Sequence, residues 1–458
     1  MLQASRGARL SAPTSDSRHL SRWHAAALVA GSMIGVGIFL TPRIAAAAVG
    51  TGPWFFALWF LGAVVALAGA LAVAELGAML PHAGGDYVYL REAYGDFSAF
   101  LYGWLSLLAS FSGAIAAMAV GIPRYQGPLF IGERAHAPLL HLPFLTLHVD
   151  QLLGMALVWL LTGLACLRVR VAGRTQLGLT ASVMALLLAG ALWAIATGVR
   201  VPNAHAAASA LDRGEWLPIL LAFSAVYFAY SGWNTAGYVA SEITRPEKHL
   251  PWALLVATLS VGALYLVLCV AFTVTLPDLS QAFEAGSATA TVLFGAVGGT
   301  AMAALIGLAV TGATLATMVA GSRIYFAMAR DGLFFAAVGR LHPRLGTPVL
   351  SLCLQAVWVT ILIASGTFED LLRWATLAII LLSVLTALAV PVLRWRRPDA
   401  TRPFRQWGYP WTTVAYVLPC LAVLGASAWD KPGEAAVGAG IIGVGWLSYR
   451  LRPKRISA

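Results

Sequence analysis

Two short stretches carry residue types from which a binding site can be built out of backbone alone. GSMIGVGIF, residues 31–39, sets Gly31, Gly35 and Gly37 into an apolar run, and YFAYSGWN, residues 227–234, sets Ser231 and Gly232 into another. Glycine and serine are weak helix formers, so each run predicts a helix that breaks partway. In a membrane the N–H and C=O groups freed at a break each cost several kcal/mol unless they meet protein, water or a ligand. A half-helix that starts after Gly35-Val36-Gly37 offers free N–H groups and the positive end of its dipole to a carboxylate, while the freed carbonyls accept an ammonium group. Together they suit a zwitterion. Taken singly, each stretch has a plainer reading: close helix packing over glycines for the first, aromatic core packing for the second. Their matched positions favour a site.

The elements that must position these stretches are membrane helices. The chain has 458 residues, 59% of them hydrophobic and 11% charged, against roughly a quarter charged in soluble domains. Crossing about 30 Å of hydrocarbon takes an apolar run of about 20 residues, and about twelve such runs occur. They fall near 23–49, 54–80, 97–122, 150–167, 176–198, 216–242, 250–276, 290–329, 348–365, 369–393, 409–429 and 434–450. The runs are continuous rather than alternating, which excludes an outer-membrane barrel. Residues 123–149 form the longest connection and show little helical periodicity, and no soluble domain is expected.

The interrupted runs are the first and the sixth. Five spans apart, they cross in opposite directions, as expected if spans one to five and six to ten are inverted-topology repeats. The expected fold is an all-α polytopic membrane protein with about 12 transmembrane helices: a cytoplasmic tail over residues 1–21, a ten-helix inverted-repeat core over 22–393, and two accessory helices with a cytoplasmic tail over 394–458. The formal charge of +11 follows the same topology. With the N-terminus inside, only Arg43, Arg124, Arg134, Arg200, Arg213, Arg373 and Lys431 of the 30 Lys and Arg fall outside, as the positive-inside rule demands. Basic clusters such as Arg394, Arg396 and Arg397 then face lipid rather than nucleic acid. The first 21 residues lack an apolar stretch of signal-peptide type, so both termini are expected to be cytoplasmic in the inner (plasma) membrane.

Other chemistry-bearing residues group poorly. Cys166, Cys269, Cys353 and Cys420 lie in or at the ends of apolar runs without a CxxC pattern and read as small core residues. None of the histidines pairs with a second ligand type at metal spacing, so no metal and no cofactor is expected. Glu75 is the one acid well inside the second span. It lies some 9 Å from the inside end, too far inward to touch a mid-membrane substrate, and with Glu242 is expected to pair with arginines at a cytoplasmic gate. Gly84-Gly85-Asp86-Tyr87 opens a short amphipathic inside segment that either helps to close the cytoplasmic path or anchors at the interface. Thr311, Thr314 and Thr317 share one face of the eighth span; that face either binds sodium or bonds to its own helix carbonyls. No charged ring or filter motif points to a channel, and no acid–base or metal constellation points to an enzyme.

GSMIGVGIF, AELGAMLPHAGGDYVYLREAYG (74–95), FAYSGWN followed by SEITRPEKHLP, and GSRIYFAMARDG (321–332) together resemble the amino acid, polyamine and organocation (APC) transporter superfamily, most closely its L-type amino-acid transporter branch. The resemblance covers nearly the whole chain and implies a LeuT-like 5+5 inverted repeat with discontinuous helices 1 and 6. It implies that Gly35, Val36 and Gly37 amides hold a substrate carboxylate, that carbonyls near Met33, Ile34, Phe228 and Ser231 hold its amino group, with Ala229 and Tyr230 in the same substrate-binding stretch, and that Phe228 is an outer gate. Trp233 and Asn234 match the family's GWN and would line the side-chain pocket. Val36 replaces the serine common there, removing a hydroxyl from the carboxylate site. A cation in such folds lies between span-eight hydroxyls and the first break, here Gly31, Ile34, Thr314 and Thr317. Many relatives place a span-five lysine at that point, where this chain has Val183. The implied activity is alternating-access transport of neutral L-amino acids by exchange or facilitation. The competing readings are a sodium- or proton-coupled importer and a cationic amino-acid or polyamine permease. Animal members are disulfide-linked to a heavy chain through an outside-loop cysteine; residues 123–149 have none, so no such partner is expected.

Overall fold

The computed structural model describes residues 19–132, 137–142, 145–166, 169–197, 213–282, 284–366 and 368–451. The expectations placed on residues 1–18, Arg134, His136, Arg200, His205 and 452–458 lie outside them. Among the described residues, eight helical segments are long and apolar enough to cross a membrane, and three shorter apolar helices join them. The chain is thus a polytopic α-helical membrane protein, and Trp54, Phe60, Leu160, Trp193 and Leu259 on its outer surface are the apolar exposure that lipid requires.

The first run divides into α1 (Arg22–Met33), α2 (Gly37–Leu40) and α3 (Pro42–Val49). Helix α4 (Pro53–Met79) starts on a proline, whose missing N–H costs nothing in a first turn. A short α5 (Asp86–Tyr94) leads into α6 (Asp96–Leu105), a π-helical turn at Ser106–Ser110, and α7 (Phe111–Ile131). The connection after residue 123 is more regular than expected: α7 continues to Ile131, and an antiparallel hairpin, β1 (Pro138–Leu142) with β2 (Leu145–His148), follows. Its alternation is too short to read against the flanking apolar runs. Helices α8 (Val149–Ala165) and α9 (Val169–Thr197) precede the second broken run, α10 (Trp216–Ala229) and α11 (Thr235–Tyr238). Then come α12 (Pro246–Thr275), α13 (Ala285–Arg330), α14 (Val349–Ser365), α15 (Phe368–Arg396), α16 (Trp411–Asp430) and α17 (Pro432–Leu451). Gly295, at φ +70°, bends α13 in its first third, where only a residue without Cβ enters that region cheaply.

The broken runs cross at the centre. Helix α1 packs on α11, while α2 and α3 pack on α10, so the part before one break meets the part after the other. Helices α4, α9, α12 and α13 surround them, with Trp59, Tyr265 and Phe272 fully buried between.

At one end of the bundle charged pairs tie the elements together. Glu75 of α4 accepts Arg394 Nε at 2.9 Å and Nη2 at 2.5 Å, and also the Gln406 amide at 2.7 Å. Glu242, just after α11, accepts Arg323 Nε and Nη2 at 2.9 and 2.6 Å. Its carbonyl receives the His19 and Leu20 amides, both at 2.9 Å, which lays the segment before α1 alongside Ile243.

Candidate functional site

The first break is narrow. The Ile34 amide still bonds to Ala30 O at 3.0 Å, and Gly31 remains helical; the chain then turns sharply, with Gly35 N–H on Met33 O at 2.9 Å. Helix restarts at Gly37, where the Phe39 and Leu40 amides reach back to Val36 O (3.2 and 3.1 Å). Among the described residues the amides of Val36, Gly37 and Ile38 have no backbone acceptor, as in a new first turn. The Gly35 amide is occupied by Met33 O, so of the Gly35-to-Gly37 set expected it is Val36 and Gly37 whose amides stay free.

The second break runs from Tyr230 to Asn234. Phe228 O accepts the Ser231 amide at 3.0 Å and the Ser231 hydroxyl at 2.7 Å. Gly232, at φ +98°, lies against the first break: a Cβ there would stand 2.8 Å from Ser32 O. Gly37 lies as tightly on the second break, where a Cβ would meet Ala229 Cα at 2.4 Å. By contrast a Cβ on Gly35 has no neighbour nearer than Met118 Sδ at 3.8 Å. Two of the glycines therefore allow backbone-to-backbone contact between the broken helices. From α12 the Tyr265 hydroxyl reaches carbonyls on both, Met33 O at 2.7 Å and Ala229 O at 3.2 Å.

Between the breaks lies one cavity. Of the residues expected at a site, Met33, Gly35, Val36, Gly37, Phe228, Ser231 and Asn234 line it together with Thr317. Ala229, Tyr230 and Trp233 do not. Ala229 is the floor for Gly37, Tyr230 packs its ring on Trp59 and Tyr265, and Trp233 lies in a slot opened by Gly69, edge-on to Tyr416 with ring centroids 5.8 Å apart. Ile34 and Gly31 face a smaller cavity with Leu179, Thr180, Val183, Ala309 and Gly312. The four residues of the candidate cation site are thus divided between places, since Thr314 is buried with its hydroxyl on Val310 O (2.7 Å) and Thr317 bonds Ala313 O (2.8 Å) from the main cavity. That helix-internal bonding is the ordinary habit of threonine.

The site also holds groups that were not legible in the sequence. The sequence places no acid at either break, yet Asp86 comes to the second from α5. Its Oδ2 accepts Asn234 Nδ2 at 2.7 Å, the Tyr238 hydroxyl at 3.1 Å and the Tyr102 hydroxyl at 3.3 Å. Gly84 and Gly85 permit the approach: the Gly84 amide bonds Tyr238 O, and Gly85, at φ +52°, lies where a Cβ would strike the Tyr238 ring. The far side of α5 is held by Asp331, which accepts the Tyr87 hydroxyl at 2.8 Å and pairs with Arg91 at 2.7 Å. Asp86 is 2% exposed, and burial pushes its carboxyl up to about 6 against the hydrogen bonds from Asn234, Tyr238, Tyr102 and Thr386, which favour the charged form. The available signal was a lone acid after two glycines in GGDY, next to spans that carry almost none.

Residues 20–446 match the amino acid permease family model. Among curated proteins, the large neutral amino acids transporter small subunit 2 of Homo sapiens is 28% identical over 440 residues, covering 93% of this chain and 79% of its own. The serine/threonine exchanger SteT of Bacillus subtilis (strain 168) is 28% identical over 405 residues, 87% of this chain and 89% of its own. The cystine/glutamate transporter of Pongo abelii is 26% identical over 432 residues, 93% and 83%.

Proposed function

This chain belongs to the amino acid permease family, and we propose that it moves neutral L-amino acids across the membrane by alternating access, as an exchanger or facilitator. The observation that carries the reading is the single cavity between two helix breaks, with a helix start at Gly37 on one side and the Ser231 turn on the other. Unpaired first-turn amides and the helix dipole suit a carboxylate. The substrate's amino group falls to break carbonyls and hydroxyls around Met33, Ser231 and Thr317. Relatives named for large neutral amino acids and for serine and threonine exchange support the same substrate class.

In this reading the core over 22–393 is a LeuT-like 5+5 inverted repeat with discontinuous helices 1 and 6, part of about 12 spans, and residues 394–458 add two accessory helices and a tail. The packing of α1 on α11 and of α2 and α3 on α10 supports the inversion. The end bearing Glu75, Glu242, Arg323 and Arg394 is cytoplasmic, with both termini there in the plasma membrane, and its ion pairs hold the inner path shut. Phe228, buried yet lining the cavity, is the outer gate.

The test is competition for uptake into proteoliposomes by neutral and cationic amino acids. Neutral ones should win, because a lysine or arginine side chain loses hydration in the cavity. Binding of arginine or lysine at least about tenfold tighter than every neutral amino acid, a gap near 1.4 kcal/mol, would overturn the assignment.

A further inference from the structure

Asp86 ties four elements together at the floor of the cavity that it lines. Its Oδ2 accepts Asn234 Nδ2, just ahead of α11, at 2.7 Å, the hydroxyl of Tyr238 on α11 at 3.1 Å and that of Tyr102 on α6 at 3.3 Å, while the Thr386 side chain of α15 hydrogen-bonds it as well. Helix α5 is thereby a partition. Asp86 opens it on the cavity side, and further along it Arg91 and Glu92 are partly exposed, paired with Asp331 and Arg397 at the end of the bundle read above as cytoplasmic. Parting α5 from α11 would bring water to Asp86.

A carboxylate so enclosed has no opposite charge to keep it ionised. The titratable groups facing it are hydroxyls: Tyr89 on α5 itself, Tyr102 on α6, Tyr227 on α10 and Tyr238 on α11. The charges on neighbouring elements are taken elsewhere, Glu75 of α4 with Arg394 of α15, and Asp331 after α13 with Arg91. Among the described residues no lysine or arginine pairs with Asp86. Burial disfavours the charge, so the dry, closed floor prefers the neutral acid and a wet, open floor restores the carboxylate. We propose that Asp86 is a proton-operated latch on the inner path: protonated, it keeps α5 closed on α6 and α11, and ionised, it favours the wetted, open floor. This rests on the transport reading above. The proton is bound and released on the same side of the membrane, so the latch sets the rate of exchange and draws on no gradient.

The expected size follows from linkage. With the carboxyl pushed up to about 6 by burial in the closed floor and back near its ordinary value of about 4 when wet, proton binding favours closure by about tenfold at pH 5 and by almost nothing at pH 7.5. The experiment is amide hydrogen exchange of the full chain in nanodiscs at the two pH values, corrected for intrinsic rates, beside exchange of labelled threonine and of leucine in proteoliposomes. Relative to α16, the amides of α5 and α11 should be protected about tenfold more at pH 5, and amino-acid exchange should slow by the same factor. Asp86→Asn, neutral at every pH, should show the acid behaviour at both. Tyr238→Phe removes a donor that favours the charged form, so it should move the midpoint to higher pH, and it serves if Asp86→Asn does not fold. Equal protection at both pH values in the unmutated protein overturns the proposal. So does a pH step that survives in Asp86→Asn, or a floor that Asp86→Asn loosens at both pH values, which would make Asp86 a purely structural tie. If protection rises as expected while neither amino acid is carried at any pH, the transport reading fails and the proton-dependent closure of the floor stands.

Discussion

The Tyr265 hydroxyl donates to Met33 O over 2.7 Å, joining α12 to the last helical residue before the first break. The same oxygen reaches Ala229 O, the last helical residue before the second, at 3.2 Å. Two broken helices leave carbonyls without intrahelical partners, and one buried phenol serves one from each. Tyr265→Phe should keep the ring packing on Trp59 and Tyr230 but leave Met33 O with only the Gly35 amide and remove the hydroxyl from Ala229 O, lowering stability by about 1–3 kcal/mol. Thermal unfolding in detergent and uptake rate should fall together. An unchanged melting temperature with unchanged uptake would remove the bridge from the account.

The glycines of the first break should not be equivalent. Gly37→Leu should abolish transport, because its Cβ already stands within 2.4 Å of Ala229 Cα and the side chain must force the two breaks apart. Gly35→Ala should retain transport, since a Cβ there meets nothing nearer than 3.8 Å. Uptake by the two variants, normalised to folded protein recovered by size exclusion, is the check. Normal uptake in Gly37→Leu would contradict the close crossing of the helices.

Phe228→Ala should impair occlusion of substrate. The side chain lines the cavity while being 6% exposed, so truncating it enlarges the cavity on the side proposed as the outer gate. Faster loss of bound amino acid and a higher KM are expected from exchange kinetics. Kinetics identical to those of the unmutated protein would remove its gating role.

Of the two charge clusters around Glu75 and Glu242, the one around Glu75 should matter more for stability. Glu75 is 3% exposed at its side chain and is held by Arg394, by the Gln406 amide and, at 3.5 Å, by Arg402. Removing the bidentate partner leaves this buried carboxylate with only Arg402 and the Gln406 amide, at a cost of up to about 3–5 kcal/mol. The Glu242 side chain, 24% exposed beside Arg323, is more easily hydrated when its partner is lost. Arg394→Ala should therefore lower the melting temperature more than Arg323→Ala does, whereas Arg323→Ala should chiefly change transport rate. Equal destabilisation would contradict the ranking.

How much of this was legible in the sequence depends on range. The breaks were legible because Gly35, Gly37, Ser231 and Gly232 are locally poor helix formers, and their positions came out within a few residues. Counting spans gave the expectation that the two broken runs traverse the membrane in opposite directions, but not that they pack against each other break to break, which Gly37 on Ala229 and Gly232 on Ser32 bring about. Which residue faces the cavity was less legible, since successive residues of a turn point in different directions: Asn234 lines the cavity while its neighbour Trp233 fills the slot at Gly69. Asp86 was not legible as a site residue. It lies 148 positions from Asn234, and only the fold of α5 against Tyr238 brings the two together. The threonine face of α13 could be seen, but not that its members divide between the main cavity and the helix interior.

Exchange of neutral amino acids through this cavity is tested most directly by uptake of a labelled neutral amino acid into proteoliposomes, empty or preloaded with the unlabelled compound, with and without imposed sodium or proton gradients. Internal amino acid should accelerate uptake strongly, and neither gradient should concentrate substrate in empty vesicles, because the route back is the same loaded cavity. Concentrative uptake into empty vesicles driven by sodium, and lost in Thr314→Val or Thr317→Val, would contradict the account.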